Sequence, residues 1–163
     1  MLAALSLHAG ETTREKTAVT DDAAKARLAE LDAYWAEVSR AVREGDFKAY
    51  VATCHPEGVL VSGTKKNSQP LATALTRWEK DFTATREGKV RGNVEFRFSQ
   101  RLGDATTAHE SGIFRYTTLT DGAEPKHDYI RLEALLVKRG DVWIILMENQ
   151  IGPATRAEWD ALR

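Results

Sequence analysis

Two hydrophobic periods divide the chain. In residues 21–44, Leu28, Leu31, Trp35, Val38 and Val42 fall on one stripe of a 3.6-residue repeat, which predicts an amphipathic helix. Thr20 is placed to cap it, Asp21 and Asp22 suit the positive end of its dipole, and Gly45 supplies a stop. Asp46 caps a short second helix whose Phe47, Tyr50, Val51 and Cys54 face one way. His55-Pro56-Glu57-Gly58 reads as a turn and Val59-Leu60-Val61 as a short strand. A third helix is expected from Ser68 as cap, with Pro70 in its first turn and a stripe of Leu71, Leu75, Trp78 and Phe82 running to Gly88. After residue 90 the period becomes two. Strands are predicted at 90–101, 105–119, 128–138 and 142–150, separated by Gly103-Asp104, Asp121-Gly122 and Gly140-Asp141. Thr155 and Glu158 form a capping box for a last helix carrying Trp159 and Leu162.

Helices followed by a long meander give an α+β class, with a helix layer on one face of an antiparallel sheet. Tight turns fix a register. If Gly103-Asp104 is a two-residue turn, Phe98 opposes His109, Phe96 opposes Ser111, Val94 opposes Ile113 and Arg97 opposes Glu110. If Gly140-Asp141 turns likewise, Leu136 opposes Ile145, Leu132 opposes Asn149 and Glu133 opposes Glu148. The helix-facing side is then Val94, Phe96, Phe98, Ile113, Leu132, Ala134, Leu136, Trp143, Ile145 and Met147, with His109, Ser111, Arg115 and Asn149 projecting into it. The other side mixes Arg97, Glu110, Arg131, Glu133 and Glu148 with Phe114, Tyr116, Leu135 and Leu146. That mixture suits a sheet-to-sheet homodimer. A one-residue slip exchanges the two faces in either hairpin.

Length and composition narrow the function. The chain has 163 residues, the size of one domain, expected over 21–163. Twenty-three Lys+Arg against 24 Asp+Glu give a formal charge of -1, which offers no field for nucleic acid or an anionic membrane surface. The single cysteine, Cys54, excludes an intrachain disulfide framework and a cysteine-rich zinc site, so no metal or cofactor is expected. Residues 1–20 read as a tail and linker. The apolar start ending in Leu7-His8-Ala9 also resembles the end of a truncated signal peptide, which would mean export; otherwise the chain is cytoplasmic.

Several local patterns, in this order, resemble the nuclear transport factor 2-like superfamily, which includes SnoaL-like cyclases, ketosteroid isomerase and the calmodulin-dependent kinase association domain. They are the Trp35 helix, Gly45-Asp46-Phe47, His55-Pro56-Glu57-Gly58-Val59, Ile113-Phe114-Arg115-Tyr116-Thr117 and Lys138-Arg139-Gly140-Asp141-Val142-Trp143. The resemblance implies a curved sheet wrapped around the helices, a conical pocket and dimers through the sheet. It also places the association domain's pocket arginine on Arg115.

The candidate site follows from that face. Arg115 inside an apolar concavity needs a partner, either a ligand anion or an acid such as Glu37. His109 is the candidate general base, or a satisfied histidine at the rim. Ser111 and Asn149 add hydrogen-bonding groups, and Trp78, Tyr34 and Tyr50 are candidate pocket walls. Opposed Glu133 and Glu148 resemble a catalytic dyad but fall on the outer face, where an interface salt network is the alternative. Three functions are expected from this: binding of a partly apolar, anionic small molecule; a lyase, isomerase or hydrolase using His109; or an assembly domain with its cavity filled.

Overall fold

The computed structural model describes residues 9–162. Helix α1 (Ala9–Glu44) is followed by α2 (Phe47–Ala52), β1 (Cys54–Ser62), β2 (Asn67–Pro70) and α3 (Leu71–Arg86). Then come β3 (Arg91–Gly103), β4 (Thr107–Leu119), β5 (Lys126–Arg139), β6 (Val142–Pro153) and α4 (Arg156–Ala161). The six strands form one open, curved sheet in the order β2-β1-β6-β5-β4-β3, antiparallel except where β1 runs parallel to β6. The helices α1 to α3 cover its concave face, as the α+β pattern predicts.

The α1 stripe is buried as its period requires: Leu31, Trp35, Val38 and Val42 pack against Val94, Leu132, Leu136, Trp143 and Ile145. Gly45 ends α1 at a positive φ of 66°, and a Cβ there would stand 2.5 Å from the backbone of α3. Asp46 caps α2 by accepting from the Ala49 amide, and the capping box on α4 is formed as expected.

Four local readings change. Helix α1 starts at Ala9, so residues 10–20 are helical where a linker was expected. Glu11, Arg14, Glu15 and Lys16 are good helix formers and no proline interrupts them. The leader-like residues 1–8 lie outside the described residues. His55-Pro56-Glu57-Gly58 lies within β1, as an irregularity between Cys54 and Val59. Residues 67–70 form an extra edge strand, so Pro70 rather than Ser68 caps α3.

The decisive differences are in register. The β3–β4 connection is longer than two residues, because Asp104 Oδ1 accepts from the amides and hydroxyls of Thr106 and Thr107. Leu102 pairs with His109 and Gln100 with Ser111. A β-bulge at Ser99 then shifts the ladder, so Phe98 pairs with Gly112, Phe96 with Phe114, Glu95 with Arg115 and Val94 with Tyr116. One extra residue in β3 thus reverses which side chains of β4 face the helices. In the β5–β6 hairpin, Leu136 pairs with Ile145 as expected, but a second bulge at Leu146 puts Met147 opposite Leu135, Glu148 opposite Ala134 and Gln150 opposite Leu132. From Met147 to Gln150 the faces of β6 are reversed as well, until a further irregularity at Ile151 restores the phase.

Candidate functional site

The helix layer and sheet enclose a cavity of about 410 Å³. Its walls are mostly aromatic and aliphatic. Tyr34, Trp35 and Val38 come from α1, Tyr50 from α2, Trp78 and Phe82 from α3. The sheet adds Val94, Phe96, Phe114, Tyr116, Ile130, Leu132 and Ile145. The rings interlock: Trp35 lies 4.3 Å from Phe96, Tyr50 lies 4.9 Å from Phe82, and Tyr50 meets Trp78 edge-on.

Polar groups occupy two regions of this lining. Glu148 and Gln150, carried inward by the Leu146 bulge, come from β6 near Tyr50, Cys54 and Thr53. Gln150 Nε2 donates to Glu148 Oε1 at 2.6 Å, and Tyr34 donates to the Thr53 carbonyl at 3.2 Å. Glu148 is enclosed by the fold but keeps part of its surface open to the cavity. Burial raises its carboxyl pKa above the usual carboxylate range. Burial also pushes the Cys54 thiol up to about 12, and the Tyr34 and Tyr50 hydroxyls well above their ordinary range, with the charge of Glu148 adding to each. The second region holds Asp81, on an exposed turn of α3, with Thr85 and Asp128. There the Tyr116 hydroxyl is raised by burial and by the charge of Asp81. No lysine, arginine or histidine is among the described residues that line the cavity.

The expected site residues divide. Tyr34, Tyr50 and Trp78 line the cavity. Arg115, His109, Ser111 and Asn149 do not, because the two bulges put them on the opposite face of the sheet. Arg115 has its counter-charge there. Its Nε donates to Glu95 at 3.1 Å, and its guanidinium lies 5.2 Å from the Trp159 ring. The partner is therefore a neighbouring strand, not a ligand anion and not Glu37, which pairs with Arg40. His109 sits between Leu102 and Leu135 in the ladder, and Asn149 donates to Glu133 at 3.0 Å. The expected Glu133–Glu148 dyad is split, with Glu133 outside and Glu148 inside. Glu110 also moves inward, fully buried, where it accepts from Trp35 Nε1 and Arg101 Nε at 2.5 Å each. Among the described residues, no group of three His, Cys, Asp or Glu side chains could hold a metal ion.

Glu148 and Gln150 were thus missed as cavity residues. The Ser99 bulge had a visible cue, since Gly112 interrupts an otherwise bulky strand and a Cβ there would stand 2.1 Å from the Arg97 carbonyl. The Leu146 bulge had none, because Ile144-Ile145-Leu146-Met147 is apolar in either phase.

The curved, helix-lined sheet decides the fold. The chain has the nuclear transport factor 2-like fold. No family profile and no curated protein matches its sequence, but solved structures match its backbone. A nuclear transport factor 2-like protein of unknown function from Shewanella oneidensis superimposes with a TM-score of 0.58 at 16% identity, over 76% of this chain and 97% of that one. ActVI-ORFA from Streptomyces coelicolor matches with a TM-score of 0.62 at 14% identity, over 76% and 95%. The beta subunit of benzoate 1,2-dioxygenase from Burkholderia mallei matches at 0.62 with 12% identity, over 75% and 87%. At these identities the shared property of the nuclear transport factor 2-like chains is the backbone fold.

Proposed function

We propose that this protein is a small-molecule-binding domain. Its cavity would hold a compact ligand with an apolar body against the aromatic wall and one polar group beside Glu148. The observation that carries this reading is a cavity of about 410 Å³ with an apolar lining and a single enclosed carboxyl. Ligand sites usually span about 300–1,000 Å³ and combine apolar walls with few polar groups. Such a volume also weighs against an assembly domain whose cavity is filled. The anionic ligand expected from Arg115 gives way, because that arginine is paired on the other face. A thermal-shift screen of aromatic fragments on wild type and on Ile130→Trp, which narrows the cavity, tests the reading. Fragments should raise the melting temperature of wild type only; equal shifts in both proteins would refute it.

A catalytic reading has one observation behind it. Burial raises the pKa of the Glu148 carboxyl inside the cavity, the direction that suits a general acid or base. It would take the role first assigned to His109 in a lyase, isomerase or hydrolase. Any turnover found should be lost in Glu148→Gln and keep its pH profile in His109→Gln.

The outer face supports self-association over a smaller area than the alternation suggested. Helix α4 covers part of it: Trp159 is buried, and Arg97 donates to the carbonyls of Trp159 and Leu162 at 2.9 Å each. What remains open around His109, Leu135 and Met147 is mixed apolar and polar, as homodimer surfaces are.

A further inference from the structure

We propose that the cavity's ligand is an organic amine, bound as its ammonium ion between Glu148 and the aromatic wall. This rests on the small-molecule reading above and names the ligand's chemical class. Among the described residues, every charged side chain that lines the cavity is acidic: Glu148 from β6, Asp81 from α3 and Asp128 from β5. Asp128 has a cation of its own, Lys126 at 3.0 Å on the same strand. Among the described residues Glu148 has none. It accepts a hydrogen bond from an uncharged amide, that of Gln150, at Oε1.

The groups around Glu148 are the phenols of Tyr34 on α1 and Tyr50 on α2, and the thiol of Cys54 on β1. None of these supplies a positive charge at neutral pH. An enclosed carboxylate without a counter-charge is costly, and an ammonium ion would supply one. The acceptor set matches as well. A primary ammonium brings three donors. Gln150 donates an amide N–H to Glu148, which leaves its carbonyl oxygen as an acceptor, and Glu148 Oε2 and the Tyr50 hydroxyl belong to side chains lining the same cavity. The same cavity is lined by Trp35, Tyr50, Trp78 and Phe82, whose ring faces attract a cation. An anion would meet only like charge, and a neutral ligand would forgo the ion pair.

The test compares tryptamine, tryptophol and indole-3-acetate by isothermal titration calorimetry on the full chain. These probes share one ring system and differ in the charge of the side chain. Tryptamine should bind at least about tenfold more tightly than tryptophol, the lower end of what a hydrogen bond to a charged group adds. Indole-3-acetate should bind most weakly. In Glu148→Gln, which keeps the side chain's shape, the amine preference should vanish while tryptophol binding persists.

Equal binding of amine and alcohol, or tighter binding of the acid, overturns the amine proposal and leaves the small-molecule reading standing. An amine preference that survives Glu148→Gln overturns the assignment to this carboxyl. If none of the probes binds to wild type, the amine proposal fails. The fragment screen with Ile130→Trp then decides separately whether the cavity binds anything.

Discussion

Glu110 offers the sharpest test of the register. It is fully buried and faces α1 only because the Ser99 bulge turns β4 around. Its carboxylate accepts from Trp35 Nε1 and from Arg101 Nε, and Arg101 also reaches Asp32 at 2.5 Å. Replacing Glu110 with alanine removes both acceptors. Trp35 Nε1 then has no partner in an apolar layer, a loss of about 1–3 kcal/mol. Arg101 loses its buried partner but keeps Asp32 and 20% side-chain exposure, so part of its charge rehydrates. Breaking one side of a buried ion pair typically costs about 3–5 kcal/mol in all. Glu110→Ala should therefore lose about 3–5 kcal/mol in urea unfolding, a drop in melting temperature of roughly 10 °C for a chain of this size. Glu110→Gln keeps the volume and one carbonyl oxygen, so it should lose only about 1–3 kcal/mol. Adding Arg101→Met to Glu110→Ala should cost less than the sum of the single changes, because the orphaned cation is gone. If Glu110→Ala unfolds within about 0.5 kcal/mol of wild type, the range of an ordinary surface substitution, the residue is not buried where the bulge puts it.

Burial raises the pKa of Glu148 in the folded state, so its contribution to stability is complete below the unfolded carboxylate pKa and is lost as pH rises through the folded value. Glu148→Gln should accordingly be more stable than wild type at neutral pH, with the difference closing in acid; urea titrations from pH 4 to pH 8 would show the reverse if the carboxyl were ion-paired. Asp104 behaves oppositely: four hydrogen bonds from Thr106 and Thr107 hold it down at about 2. Its contribution is present above the unfolded aspartate pKa and lost as pH falls toward 2, and Asp104→Ala should speed amide exchange at Thr106 and Thr107. Gly45→Ala places a Cβ 2.5 Å from α3 backbone at a left-handed φ, and should cost about 2 kcal/mol or more by denaturant unfolding. Leu135→Glu on the open outer face should convert a dimer to monomer by light scattering without lowering the monomer's melting temperature; an unchanged dimer would move the interface elsewhere.

Much of the layout was legible in the chain because it rests on local rules. The α1 stripe, the Gly45 stop, the Asp46 and Thr155 caps, and the buried side of β3 and of the first half of β6 all follow from spacing within one element. Tyr34, Tyr50 and Trp78 were found as walls because helix faces carry their own period. The residues assigned from pairing across strands were the ones misplaced. Arg115, His109, Ser111 and Asn149 were put inside by counting outward from tight turns. A single bulged residue between the turn and the site reverses that count.

Sequence alone determined an α+β fold with helices on one face of a long meander, because hydrophobic period and turn chemistry are properties of contiguous residues. Which carboxyl enters the cavity was decided only by the tertiary structure. Glu148 and Glu110 turn inward, and Glu133 and Arg115 outward, through bulges at Ser99 and Leu146. A bulge bends and twists its strand, so where it falls in a curved sheet packed against helices depends on contacts between segments distant in sequence.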